Sequence, residues 1–281
     1  MDWINTLIGI LAGVAVVIPA YFVSKRWQKV AIGVLAVVCA LGADELSKRY
    51  FYPHVLGWQF ERQIYEVPLF TLVAKHHPEQ YAAFVNQVKQ GILDKQPEAQ
   101  LAAYSSVLME RVFYLHLQTA PDEAVMHYLG AILELYRYLH NQDPRAVLRM
   151  EYGQSAKGDF SAVWEEPEFK RLLNQLLETK KKVIEASIAN PVEIPSKSVA
   201  IPLLDAQLKE MSEKYGEQMV KEIFNRKQGA IPANLIAPLV MDFYARIGAQ
   251  GPEKAGIIMR YIASQKVKGM EAADARKKST K

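Results

Sequence analysis

The sequence predicts an all-α protein in which an N-terminal transmembrane hairpin precedes a multi-helix soluble bundle. Three observations support this fold class. A charge-free run opens the chain, a proline beside an acidic residue recurs along the rest of it, and apolar residues follow these prolines at intervals of three and four positions. The chain contains no alternating apolar and polar run next to a hairpin turn that would favour β-strands instead.

The first predicted element is a membrane-spanning helix over residues 3–24. These 22 residues carry no charge, and a helix needs about 20 apolar residues to cross a bilayer. The run is too long for a signal peptide and lacks the basic start of one. Gly9 and Gly13 form a GxxxG pair, which indicates either close packing against another transmembrane helix or only the high glycine content of such helices.

A second apolar run, residues 30–43, is short for a transmembrane helix. Its 14 uncharged residues extend over only about 21 Å as an α-helix. Trp27 and Lys29 precede the run and would reach the bilayer interface, and local thinning of a bilayer accommodates a short helix at a small cost. We therefore predict that this run also spans, as one full-length and one short helix of a hairpin. The alternative is a buried or re-entrant segment.

The loop between the two runs predicts the orientation. Lys25, Arg26 and Lys29 lie next to the membrane on one side, and positively charged loops stay in the cytoplasm. If both runs cross, the helical body lies in the periplasm of a Gram-negative cell. If only the first run crosses, the body lies in the cytoplasm. We predict the first arrangement, in the inner membrane, with the lipid bilayer and other membrane or envelope proteins as partners.

Six helix starts are predicted beyond Pro53. A proline at the first helical position loses no needed hydrogen bond, and an acidic residue in the first turn interacts favourably with the helix dipole. The pairs are Pro78-Glu79, Pro97-Glu98, Pro121-Asp122, Pro167-Glu168 and Pro252-Glu253, with Asp143-Pro144 as a capped variant. Apolar residues follow at helical spacing, as in Val125, Leu129, Ile132, Tyr136 and Leu139.

The chain is predicted to divide into four regions: a hairpin and stalk (1–52), a helical domain (54–190), a C-terminal helical subdomain (198–270) and a basic flexible tail (271–281). Two prolines within residues 188–198 predict the internal boundary. The starts at Pro121, Pro144 and Pro167 are 23 residues apart, which fits either an irregular bundle or a solenoid of helix pairs. The intervening residues do not resemble one another, which favours the bundle.

Composition disfavours some function classes. A net charge of +4 over 281 residues is small for a nucleic-acid-binding protein, so we expect no nucleic-acid partner. Cys39 is the only cysteine, which excludes an intramolecular disulfide. The basic tail would attract anionic lipid if it lay close to a bilayer, and contact with a protein partner is an equal alternative.

Catalytic motifs are absent from the sequence, which contains no GxSxG, CxxC or HExxH. His116, Glu123 and His127 are the candidate ligands of a zinc site with one open position. Such a site would serve a membrane-tethered metal-dependent hydrolase. Because their spacing matches no established ligand pattern, we predict no metal, cofactor or catalytic site and no cofactor, and the sequence disfavours an enzyme without excluding one.

The function that the sequence favours is a structural or adaptor subunit of a cell-envelope complex, acting through protein–protein interaction. The hydrolase is one alternative. A lipid- or small-ligand-binding helical domain is the other, because several tyrosines are placed on helices where they could line a cavity. These are Tyr104, Tyr114, Tyr128, Tyr136 and Tyr138.

Overall fold

A computed structural model describes residues 52–153, 160–224 and 232–279. These residues form α-helices joined by turns and loops and contain no β-strand, which confirms the all-α prediction. None of the helices in these ranges is long and apolar enough to cross a membrane. The predicted transmembrane runs, with Gly9 and Gly13, and the basic loop of Lys25, Arg26 and Lys29 lie outside the described residues.

The chain divides into two compact units, Met1–Leu108 and Met109–Lys281. In the first unit, three helices pack on one another: α1 (Tyr52–Tyr65), α2 (Pro68–His76) and α3 (Pro78–Leu93). Val73, Phe84 and Val88 are buried between them, and Lys89 of α3 forms an ion pair with Glu61 of α1. Helix α4 (Glu98–Leu117) begins in this unit and ends in the second.

The second unit is a bundle built around one central helix. Helix α5 packs against α6, α8, α11 and α12, and its buried side chains form the middle of the core. The helices are α5 (Asp122–Gln142), α6 (Pro144–Tyr152), α7 (Ser161–Glu165), α8 (Pro167–Ala189), α9 (Lys197–Tyr215), α10 (Glu217–Phe224), α11 (Ala233–Ala249) and α12 (Pro252–Ser279).

The six predicted helix starts are confirmed. Four helices begin at the predicted proline, and α4 and α5 begin one residue after it. At the start of α6, the Asp143 carboxylate accepts a hydrogen bond from the Arg145 backbone N–H at 2.8 Å. Hydrogen bonds from the Arg145 side chain also hold the pKa of Asp143 below its usual value. Side-chain capping and a proline at the first helical position therefore act together at this end.

The predicted apolar stripe of α5 is also confirmed. All five residues are buried, and Leu139 and Val125 have no exposed surface. The stripe is buried because an amphipathic helix in a bundle turns its apolar face towards its neighbours. The stripe is buried along its whole length because α5 lies at the centre of the second unit.

Three features complete the description of the second unit. Helices α9 and α11 continue through internal prolines, Pro202 and Pro238. Residues 271–279 continue α12, since this segment is rich in Ala, Glu, Lys and Arg, which favour helix; that residues 271–281 form a flexible tail stays a prediction. The predicted break within residues 188–198 appears as a non-helical connection between α8 and α9. The division into domains 54–190 and 198–270 stays a prediction.

Candidate functional site

A cavity of about 140 Å³ lies within the second unit. Its walls come from helices α4, α5, α6, α10, α11 and α12. One half of the lining is apolar and the other half carries hydroxyl or charged groups. The apolar residues are Ile223, Phe224, Val240, Phe243, Met259 and Ile262, and the polar ones are Tyr114, Tyr128, Glu151, Tyr152, Tyr244 and Lys266.

The spacing of residues on α11 and α12 explains how these helices reach the cavity. Val240, Phe243 and Tyr244 are three and four positions apart, so they share one face of α11. Met259 and Lys266 share a face of α12 in the same way, two helical turns apart. Gly251 joins the two helices with a φ of 82°, a conformation that glycine adopts without strain.

The Glu151 carboxylate is the polar centre of the site. It accepts a hydrogen bond from the Tyr136 hydroxyl at 2.6 Å and from the Tyr244 hydroxyl at 3.1 and 3.2 Å. These contacts connect α5, α6 and α11 around one side chain. Hydrogen bonds to a charged acceptor contribute about 1.5–3 kcal/mol each, so two hydroxyl donors offset much of the cost of placing a carboxylate here.

The tyrosines around this carboxylate stay protonated at neutral pH. Burial, followed by the charge of Glu151, raises the pKa of both Tyr136 and Tyr244 well above its usual value. The same two causes raise the pKa of Tyr128. Each hydroxyl is therefore a hydrogen-bond donor over the whole physiological pH range.

The Tyr128 hydroxyl lines the cavity without a hydrogen bond to any other described residue. The side chain is 4% exposed, and its ring packs on Phe113 with 4.7 Å between the centroids. The hydroxyl oxygen keeps accessible surface in the cavity, so it can exchange a hydrogen bond with water or with a ligand there.

Two lysines place positive charge near the polar half. The Lys266 ammonium donates to the Tyr114 hydroxyl at 2.5 Å and lies 4.2 Å from the centroid of that ring. Lys180 of α8 lies 5.1 Å from the centroid of Phe113. Burial lowers the pKa of Lys180, while the charges of Glu110 and Glu151 oppose this change.

The α10 wall is held in place from two sides. The Tyr152 hydroxyl donates a hydrogen bond to the Ile223 carbonyl at 3.0 Å. Phe224 packs edge-on against Phe243 with 5.7 Å between the ring centroids. These contacts hold the end of α10 against α6 and α11. The neighbouring helices therefore help to fix the positions of Ile223 and Phe224 in the apolar wall.

The structure brings together some of the predicted tyrosines but not all. Tyr114 and Tyr128 line the cavity, and Tyr136 contacts it through Glu151. Tyr138 is half-buried and is not part of the lining. Tyr104 belongs to the first unit, where its hydroxyl donates to Gln96 at 2.9 Å.

The predicted zinc ligands do not meet. His116 Nδ1 lies 3.1 Å from the Ser187 hydroxyl, and Glu123 and His127 are exposed one turn apart on α5. Across residues 52–153, 160–224 and 232–279 no three His, Cys, Asp or Glu side chains are grouped to hold a metal ion. A sequence spacing that places two ligands on one helix face does not bring a third from a neighbouring helix.

Sequence reasoning missed Glu151, Tyr244 and Lys266. Glu151 lies in the last turn of a short helix, where an acidic residue usually faces solvent. Lys266 had a detectable signal, since it continues the apolar face of Met259 and Ile262 at helical spacing. A charged residue on an otherwise apolar helix face indicates a polar site or an ion pair within the core.

None of the comparisons with protein-family models, curated proteins and solved structures gives a match for this chain. The function is therefore argued from the chemistry of the cavity and its surroundings.

Proposed function

We propose that the second unit binds a small amphiphilic molecule in the cavity. The observation that supports this function is the division of its lining into six apolar side chains and six that carry hydroxyl or charged groups. Ligand sites in proteins are mostly apolar with a few placed polar groups that orient the ligand. An amphiphile would satisfy both halves, with its apolar body against Phe243 and Met259.

The volume restricts the size of the ligand. A cavity of about 150 Å³ lined by apolar side chains binds benzene in a well-studied protein, and this cavity measures about 140 Å³. We therefore expect a body of roughly six to eight non-hydrogen atoms. A long-chain lipid would require the cavity to open, so the proposal concerns a small amphiphile.

The proposed test measures binding of six-carbon amphiphiles to the full chain in nanodiscs of neutral lipid. Isothermal titration calorimetry with 1-hexanol and hexanoate, blanked against empty nanodiscs, should detect binding to the wild type. Ile262→Trp should abolish it, because a larger ring at a half-buried lining position fills the space. Leu177→Trp, an exposed position outside the lining, is the matched control and should bind normally. Absence of binding by either compound to the wild type, or equal binding to Ile262→Trp, would refute the proposal.

We propose further that residues 1–52 anchor this module in the inner membrane as a hairpin, with the helical body on the periplasmic side. The support is the charge-free run of residues 3–24 together with the basic loop of Lys25, Arg26 and Lys29. Alkaline phosphatase fused after Lys281 should be active, whereas a fluorescent protein there should be dark. Fluorescence without phosphatase activity would place the body in the cytoplasm.

A role as an adaptor in an envelope complex is the second candidate, and one surface favours it. Four apolar side chains, at the end of α8, in the connection that follows and at the start of α9, are between 36% and 50% exposed. They are Ile188, Val192, Ile194 and Val199. Apolar side chains grouped on a surface are typical of contact sites for other proteins.

Extraction in mild detergent tests the adaptor role. We expect a defined partner to co-purify with the wild type and to be lost in Ile194→Lys. Glu193→Lys changes charge in the same segment without removing an apolar contact, so it should retain the partner. Recovery of the chain alone, or equal loss in both variants, would refute this role.

A further inference from the structure

Helix α1 leaves two aromatic side chains exposed on one of its sides. Trp58 is 60% exposed and Tyr65 is 54% exposed. The two residues are seven positions apart, so they lie on the same side of the helix, about 10 Å apart along its axis. Val67, just beyond the end of α1, adds a third exposed apolar side chain. Large apolar side chains grouped on a surface are typical of a contact site.

Contacts with α3 fix which side of α1 stays exposed. The Phe60 ring packs edge-on against Phe84 of α3, with 6.0 Å between the centroids. Ile64, one helical turn further on, is buried on the same packed side. A rotation of α1 that hid Trp58 and Tyr65 would break these contacts, so the two rings face outward as long as α1 and α3 stay packed.

Charged side chains accompany the exposed rings. Arg62 lies between Trp58 and Tyr65 along the helix, and Glu66 follows one turn after Arg62. The side chains of Arg62 and Glu66 are each 70% exposed, with 3.8 Å between Arg62 Nε and Glu66 Oε1. Trp and Tyr rings are enriched at the head-group level of a bilayer, where charged groups beside them stay hydrated. The same charges would be costly inside the hydrocarbon, so this side of α1 suits the surface of a bilayer rather than its interior.

The position of α1 in the chain favours a lipid surface over a protein partner. The second apolar run ends at residue 43, and α1 begins at Tyr52, nine positions later. Nine residues reach at most about 32 Å when they are fully extended. If residues 1–52 form the proposed membrane anchor, α1 therefore begins close to the bilayer. Such a tether keeps the effective concentration of lipid around α1 high.

We propose that the side of α1 that carries Trp58 and Tyr65 binds to the head-group region of the bilayer next to the membrane anchor. The two rings would lie at the boundary between head groups and hydrocarbon, and Arg62 would reach the lipid phosphates. This inference rests on the proposed membrane anchor and assigns the lipid-contacting surface of the first unit.

Tryptophan fluorescence of the full chain in nanodiscs tests this contact at Trp58 itself. The chain has four tryptophans, Trp3, Trp27, Trp58 and Trp164, so a variant in which the other three are phenylalanine reports Trp58 alone. Nanodiscs of a neutral lipid brominated near the head-group end of its acyl chains should quench this emission, because bromine quenches only at short range. Nanodiscs of the same lipid without bromine give the reference intensity.

Matched single-tryptophan variants separate lipid contact from other causes of quenching. In a chain with all four tryptophans replaced by phenylalanine, Tyr65→Trp should also be quenched. Ala83→Trp should not, because Ala83 is exposed on the far side of α3 from its buried residues. The variant that retains only Trp3 reports insertion of the anchor and should be quenched.

Circular dichroism and thermal unfolding confirm that each variant is folded. If replacement of Trp164 unfolds the chain, Trp164 is kept in every variant. Its emission, measured in the variant that lacks the other three tryptophans, is then subtracted.

Three results would overturn the inference while leaving the membrane anchor intact. One is unquenched emission from Trp58 together with quenched emission from Trp3. Another is equal quenching at positions 58 and 83, since lipid contact would then not be specific to this side of α1. The third is emission from Trp58 that is blue-shifted but unquenched, which would show that protein covers the ring. If Trp3 is not quenched, the proposed anchor fails and the inference fails with it.

Discussion

Helix α12 carries two cationic side chains, the buried Arg260 and the half-buried Lys266, that differ in what surrounds them. Arg260 lies in the first half of the helix and is 4% exposed. Its guanidinium donates a hydrogen bond to the Ala120 carbonyl at 3.0 Å and forms an ion pair with Asp122. Lys266, less than two turns later, lies in the wall of the cavity. The first group is enclosed by protein and the second adjoins space, although both are cations on one helix.

The difference arises from how completely neighbouring residues fill the space around each cation. Gly256 lies one turn before Arg260, and a Cβ atom there would be 2.0 Å from Asp122 Oδ1 and 2.8 Å from Arg260 Nη1. The ion pair therefore occupies the place of a side chain and is packed tightly. Around Lys266, aromatic rings from five other helices line a cavity and leave its centre unfilled. A cation on this helix thus forms a structural contact where packing is complete and adjoins a cavity where it is not.

The largest effect on the free energy of unfolding is expected from adding a side chain at Gly256, next to the ion pair. Gly256→Ala should destabilise the protein by about 3 kcal/mol, because displacing Asp122 leaves the Arg260 charge buried without its partner. Denaturant unfolding followed by circular dichroism measures this change.

The control for this prediction is Gly130→Ala on the exposed face of α5, where a Cβ meets nothing within 4 Å. It should be neutral or stabilising by up to about 1 kcal/mol, since alanine favours helix. Equal free energies of unfolding for the two variants would show that the ion pair near Gly256 is not tightly packed.

A smaller effect is expected at the cavity. Tyr136→Phe removes one donor to Glu151 and should lower the free energy of unfolding by about 1–2 kcal/mol. Tyr138→Phe, two residues along the same helix, should change it by less than about 0.5 kcal/mol. If the two variants were equally stable, the Tyr136 hydrogen bond would contribute nothing to holding the site together.

The smallest expected effect concerns the pH dependence of stability, and it can be measured only at alkaline pH. The pKa values of Tyr136 and Tyr244 are raised in the folded state, so these groups contribute stability below the unfolded pKa of about 10 and lose it as pH rises through the folded values. Above about pH 10 each should steepen the fall in stability by up to about 1.4 kcal/mol per pH unit.

The double variant Tyr136→Phe, Tyr244→Phe isolates this contribution. Its stability should fall less steeply than that of the wild type above about pH 10, while the two curves should run parallel from pH 7 to 9. The Arg260–Asp122 pair should not contribute to the difference, because arginine stays charged throughout this range. Parallel curves up to pH 11 would contradict the raised pKa values.

Local signals made the helices predictable from the sequence. Pro144 and Asp143 mark a helix start through the missing N–H of one and the capping carboxylate of the other, and both act within a few residues. The same holds for the stripe from Val125 to Leu139, whose spacing alone indicates which face is buried. The exact end of α12 was not predictable in this way, because helix propensity and fraying compete there without a stop signal.

The candidate site was predictable only in part. Tyr114, Tyr128 and Tyr136 were recognisable as tyrosines on helices, yet nothing local distinguishes them from Tyr138, which lies outside the lining. The Glu151 carboxylate accepts a hydrogen bond from the Tyr244 hydroxyl, 93 residues further along the sequence. That contact depends on how α6 and α11 pack against α5, and no pattern within either helix encodes it.

The sequence alone established the all-α class, the helix starts and the buried face of the central helix, because backbone hydrogen bonding, capping and apolar spacing are local properties. The packing of the folded second unit established which polar side chains are enclosed and which adjoin a cavity. Whether Arg260 is held in a closed ion pair or Lys266 faces open space depends on side chains from several helices, brought together only when the bundle assembles.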